Sequence, residues 1–136
     1  MNGKLILVGL VLVGMLAVGG VFFVTRNPAA GAPVTVTEAD AGKTIRLHPG
    51  DALVVTLDGN PTTGYMWERE PSEDGVLVQV GEPEFQPASD ALGASGKVLL
   101  HFEAKAKGET TLNLVYHRSW ESEAPVKVFA VTVIVD

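Results

Sequence analysis

From Val34 to Val135 the apolar residues recur at alternate positions within short runs, and no run carries the spacing of an amphipathic helix. Successive side chains of a strand point to opposite faces, so this period predicts half-buried β-strands. Val34 and Val36 alternate with threonines, and Lys43-Thr44-Ile45-Arg46-Leu47 repeats the pattern. Leu53, Val55 and Leu57 share one face of the next run, and Tyr65 and Trp67 share a face of the one after. Val76 to Val80 is a further run. Then Val98, Leu100 and Phe102, next Leu112, Leu114 and Tyr116, and finally Phe129, Val131, Val133 and Val135 each line one face. Turn clusters such as His48-Pro49-Gly50-Asp51, Pro71 to Gly75 and Gly81-Glu82-Pro83 separate these runs. Glu84 to Gly96 reads as a looser region ending in the small-residue turn Leu92 to Gly96. Seven or eight short strands with regular turns predict an all-β, immunoglobulin-like β-sandwich.

Residues 1–26 differ in character. Leu5 to Val24 contains no charged residue and is about as long as a bilayer-spanning helix requires. The run exceeds the apolar region of an ordinary cleaved signal peptide, so an N-terminal transmembrane anchor is the expectation. Cleavage near Ala29-Ala30-Gly31-Ala32 is the alternative, although Pro33 makes the position after Ala32 a poor site. Lys4 and Arg26 flank the run, so the positive-inside bias scarcely specifies an orientation. Residues 27–32 form a Pro/Ala/Gly linker, and residues 33–136 form one domain. The reading places that domain outside the cytoplasm, on a membrane anchor, or secreted if the segment is removed. A monomer is expected.

A formal net charge of −6 offers no basic stripe for phosphates, which argues against nucleic-acid binding. The chain has no cysteine, so disulfides, thiolate metal sites and a cysteine nucleophile are excluded. His48, His101 and His117 stand on separate turns and strands, without the spacing of metal ligands. No nucleophile elbow and no phosphate-binding glycine loop occurs. Neither a metal, a cofactor nor an enzymatic activity is therefore expected.

The most informative loop is Asn60-Pro61-Thr62-Thr63-Gly64-Tyr65. Pro61 sets its own φ and holds Asn60 extended, while Gly64 supplies a positive φ where the chain turns back. Two stiff threonines lie between them. The expectation is a firm, uncharged tip that presents backbone amides and two hydroxyls. Two other loops stand out, Gly93-Ala94-Ser95-Gly96 and Arg118-Ser119-Trp120-Glu121. Lettered as a sandwich, the three are alternate connections and emerge at the same end, where binding surfaces are mounted. Trp120, in a polar loop, is expected to be exposed, and Trp67, on a strand, to be core.

These segments resemble the three motifs of the chagasin-like inhibitors of papain-family cysteine peptidases. Asn60 to Tyr65 reproduces the family's N-P-T-T-G-[YF] loop in full. Gly93 to Gly96 is similar to its G-x-G-G loop, with Ser95 in place of a glycine. Arg118-Ser119-Trp120 is similar to its R-P-W loop, with Ser119 in place of proline. The order and spacing of the three carry the resemblance, which covers about residues 33–136. It implies a reversible, non-covalent inhibitor with a papain-family cysteine peptidase as partner. Thr62 and Thr63 would enter the cleft and the other two loops would grip its walls. Ser119 leaves the third loop more mobile before docking, and Ser95 opposes a positive φ in the second. The competing reading is a non-inhibitory cell-envelope binding or scaffold module that uses the same loops for another partner.

Overall fold

The computed structural model describes residues 32–136 apart from Glu73, together with the backbone of Phe23 and Val24. Its strands, in chain order, are β1 (Phe23–Val24), β2 (Val34–Thr37), β3 (Thr44–Leu47), β4 (Ala52–Gly59), β5 (Met66–Arg69), β6 (Leu77–Gln79), β7 (Glu84–Pro87), β8 (Gly96–Ala104), β9 (Gly108–His117) and β10 (Lys127–Val135). No α-helix occurs among the described residues, only the 3-10 turns Glu38–Asp40 and Pro61–Thr63. One sheet has the order β1-β3-β10-β9-β5; the other runs β2-β4-β8-β6, with β7 also on β8.

The alternating residues meet between the sheets. Leu53, Val55, Leu57 and Leu100 are completely buried, and Phe102, Leu112, Leu114 and Val133 pack with them in one core. At roughly 25 cal/mol per Å², burial of this apolar face is the main favourable term holding the sandwich.

The structure departs from the predicted strand count. Glu84–Pro87 is a strand, not part of a loose connection, and it pairs antiparallel with Gly96–Leu99. β6 pairs with Leu77↔Ala104 at the other end of the same edge of β8. β7 carries little alternation because it offers only Phe85 to the core and ends in Pro87, as an edge strand permits. Three pairings, β2 with β4, β3 with β10 and β1 with β3, are parallel, and between β2, β3 and β4 the chain changes sheet at each step. Of the apolar N-terminal run, Phe23–Val24 is a strand beside Thr44–Ile45. The expected span otherwise lies outside the described residues. Among the described residues no helix is long and apolar enough to cross a membrane.

Acid sensitivity follows from three carboxylates held below their ordinary value of 3.8. The Thr110 hydroxyl bonded to Asp74 lowers its pKa most; burial opposes, and the Val76 N–H, Ser72 and Arg69 assist. Lys97 does the same for Asp58. At Asp40 burial raises the pKa, but the Thr37 N–H and Lys43 together outweigh it. A depressed folded pKa stabilises fully above 3.8, and that stability is lost as pH falls through the folded value. Thermal melts from pH 6 to pH 2 should therefore show stability falling below about pH 4, with a shallower fall in Asp74→Asn. Identical slopes for the two proteins would refute the assignment to Asp74.

Candidate binding site at one end of the sandwich

Strand register assembles the site. Gly59 at the end of β4 faces Gly96 at the start of β8, so the first and second loops leave the sheet side by side. Met66 at the start of β5 faces His117 at the end of β9, which places the third loop against the other leg of the first. β4 and β5 belong to different sheets, so the first loop bridges the two layers. The hairpin β7–β8 flanks it from one sheet and β9–β10 from the other.

Within the first loop, Pro61–Thr63 forms a single 3-10 turn, with Asn60 extended before it and Gly64 left-handed at φ 87° after it. Every N–H of the loop is taken. Asn60 N–H donates to the Tyr116 hydroxyl at 2.9 Å, and Thr62 N–H to the Asn60 Oδ1 at 3.1 Å. Thr63 N–H donates to the Asn60 carbonyl, Gly64 N–H to the Pro61 carbonyl and Tyr65 N–H to the Thr63 Oγ1. The hydroxyl protons are spent as well: Thr62 Oγ1 donates to Asn60 Oδ1 at 2.6 Å, and Thr63 Oγ1 to the Asn60 carbonyl at 2.7 Å. The expected tip presenting free amides and hydroxyl donors is thus corrected. Asn60 accepts from both the N–H and the hydroxyl of Thr62 and of Thr63, as polar groups at turns commonly do, and Pro61, Thr63 and Tyr116 take the rest. Pro61, Thr62 and Thr63 remain exposed, offering methyl and methylene groups and acceptor lone pairs.

The flanking loops are tied to the first. Asn60 Nδ2 donates to the Gly93 carbonyl at 3.0 Å. Arg118 Nε donates to the Thr63 carbonyl at 3.1 Å, its guanidinium lies 4.4 Å from the Tyr65 ring centroid, and its Nη1 meets Glu121 at 3.1 Å. Arg118 therefore makes the local ion pair and a bond to the neighbouring loop together. Trp120 is 69% exposed, with its indole against Gly64. Trp67 is buried, as the alternation predicts.

In the second loop Gly93 is the left-handed residue, at φ 75°. Ala94 N–H closes a turn onto the Ala91 carbonyl, and the Ser95 carbonyl accepts from Ala88 N–H at the hairpin base. Gly96 is the first residue of β8 and needs to be glycine for a different reason, since a Cβ there would lie 2.1 Å from the Gln86 carbonyl oxygen. Ser119 and Trp120 form the turn of the third loop, closed by Glu121 N–H on the Arg118 carbonyl. Among the described residues no cluster of His, Asp and Glu is arranged to hold a metal. His101 and His117 instead meet Glu84 and Glu68, at 3.1 and 2.6 Å.

Residues 46–133 match the family model of the chagasin family peptidase inhibitor I42. The chain belongs to the chagasin family. It is similar to chagasin of Trypanosoma cruzi, at 36% identity over 89 residues covering 62% of this chain and 81% of the relative. Amoebiasin-1 of Entamoeba histolytica is 32% identical over 100 residues, covering 74% of this chain and 97% of the relative. The solution structure of amebosin superposes with a TM-score of 0.65 at 33% identity, over 78% of this chain and all of that one. The crystal structure of a cysteine protease inhibitor from Entamoeba histolytica shares the fold, with a TM-score of 0.63 at 20% identity over 86% of this chain and all of that one.

Two residues at this end of the sandwich carry little signal in the sequence. Leu92, beside Gly93, is fully exposed at the tip of the second loop. Its signal is a lone large apolar residue in a turn of small ones. Tyr116 reads as a core strand residue and is buried, yet its hydroxyl reaches the first loop.

Proposed function

We propose that the chain is a reversible, non-covalent inhibitor of papain-type cysteine peptidases, seating its three adjoining loops in and across the active-site cleft. Thr62 and Thr63 take the deepest position, Leu92 and Gly93 to Ser95 lie along one wall, and Arg118 to Glu121 along the other. The observation that carries this reading, within an inhibitor family, is the closed hydrogen-bonding of the first loop. A peptide to be cut is held extended, through its backbone groups, with a carbonyl offered to the nucleophile. A 3-10 turn whose N–H groups are already paired fills the same space without offering that pairing. Its rigidity lowers the ordering cost of docking, so more of the contact energy appears as affinity. Trp and Arg are enriched among the side chains that dominate interfaces, and Trp120 and Arg118 supply one of each.

The test is a titration of the protein into papain, following substrate hydrolysis and alkylation of the catalytic cysteine together. Stoichiometric inhibition, protection of the thiol, recovery on dilution and an uncut inhibitor are the expected results. Undiminished hydrolysis by several papain-type peptidases at excess inhibitor would remove this reading and favour a non-inhibitory binding module.

We also infer that the domain works outside the cytoplasm, held by the apolar N-terminal segment or released if that segment is cleaved. The uncharged run from Leu5 supports this location. Protease added to intact cells should digest or release the domain; full protection would exclude that placement.

A further inference from the structure

We infer that Tyr116 is a positioning residue for the first loop, a post on β9 that sets the separation of its two legs and so determines how fast the inhibitor docks. This rests on the inhibitory reading above for its kinetic consequence, but not for its structural one. The legs belong to different sheets, so no strand pairing joins them, and below the backbone bonds of the turn itself they are tied by side chains. Two aromatic residues of the β10-β9-β5 sheet do so. Tyr116 accepts the Asn60 N–H at 2.9 Å, and Trp67 Nε1 donates to the Asp58 carbonyl at 2.9 Å, both on the leg that rises from β4. The Tyr116 ring then stacks on Tyr65 of the other leg, with centroids 5.4 Å apart, and meets Trp67 at 5.0 Å.

Tyr116 is therefore held by its ring on one leg and by its hydroxyl on the other. It is buried, so its hydroxyl replaces the water that would otherwise satisfy Asn60 N–H. Asn60 passes the constraint on, because it holds Thr62 and Thr63 within the loop and the Gly93 carbonyl of the second loop. Two residues further along the chain, just past the end of β9, Arg118 bonds the Thr63 carbonyl and lies over the Tyr65 ring. Loss of the phenol frees Asn60 and lets the turn sample conformations that do not fit a cleft. A loop that is competent only part of the time binds with affinity reduced by that fraction. Because the bound loop is the same in both proteins, the loss falls on association.

Tyr116→Phe keeps the ring and removes the hydroxyl. Two readouts on the full chain test it, amide hydrogen exchange and association and dissociation rates with papain. Exchange at Asn60, Thr62, Thr63 and Gly64 should rise several-fold while Leu100 and Val131 in the core keep their protection. Association should slow by about 3- to 10-fold, the size expected for one net hydrogen bond, with dissociation changed less than twofold. A purely structural role would raise exchange uniformly and leave both rates alone, and that result, or unchanged loop exchange, would overturn the inference. If the wild-type protein fails to inhibit while loop exchange responds as expected, the inhibitory reading falls and the positioning role stands.

Discussion

A Gly64→Ala variant is expected to inhibit a papain-type peptidase about 10- to 100-fold less well than the wild-type protein. Two costs combine at this position. Gly64 sits at φ 87°, and a residue with a Cβ is disfavoured in left-handed backbone by about 1–2 kcal/mol. The new methyl would also lie 2.7 Å from Cη2 of Trp120 and 3.2 Å from Cζ2, too close for either to remain. The indole is the end of an exposed side chain, so it will yield before the backbone does, and it yields by leaving its place against Gly64, the position proposed above to dock. In the free protein the loop relieves its strain by leaving the 3-10 turn; in the complex it cannot, so the strain appears as lost affinity. The check is a comparison of inhibition constants, with melting curves to show that the fold persists. Inhibition within twofold of wild type would show that the turn need not be preformed.

Trp120→Ala should weaken inhibition by about 30-fold or more, the loss usual for a tryptophan that anchors an interface. The same change should leave stability within about 0.5 kcal/mol, because the side chain is 69% exposed and stands outside the core. Unlike the loss predicted for Tyr116→Phe, this one belongs to dissociation, since a contact made in the complex is removed. Trp120→Phe should recover part of the affinity. Equal inhibition by wild type and Trp120→Ala would remove the third loop from the interface. Part of the Gly64→Ala effect passes through the indole, so the double variant Gly64→Ala/Trp120→Ala should lose less than the sum of the single losses. Strict additivity would mean that Gly64 acts through its backbone alone.

Much of the layout was open to reading from local pattern. The side chains at Leu53, Val55, Leu57, Val98, Leu100 and Phe102 face inward because strand geometry alternates faces whatever the partner strand. The position of Gly64 after Pro61-Thr62-Thr63 predicts left-handed backbone, and the turn has it at φ 87°. Exposure of Trp120 and burial of Trp67 followed from their settings, one in a polar loop and one in an alternating strand. β7 is not legible in the sequence because four residues with a single inward apolar side chain carry too little pattern; β8 supplies the pairing that makes them a strand.

The family motifs, the alternation and the turn residues are therefore properties of the chain read locally, and each is set by the backbone preferences of a few neighbouring residues. The tertiary structure decided what those residues face. Asn60 meets Gly93 across 33 residues and Tyr116 across 56, and Arg118 meets Thr63 across 55. No local preference specifies partners at such separations. They follow from strand register, which is selected by how the whole buried face packs. Within the first loop the amides and hydroxyls are spent locally, on Asn60, Pro61 and Thr63, and only the Asn60 N–H depends on a distant partner, Tyr116; what register alone decides is which strands and loops that closed turn is fastened to.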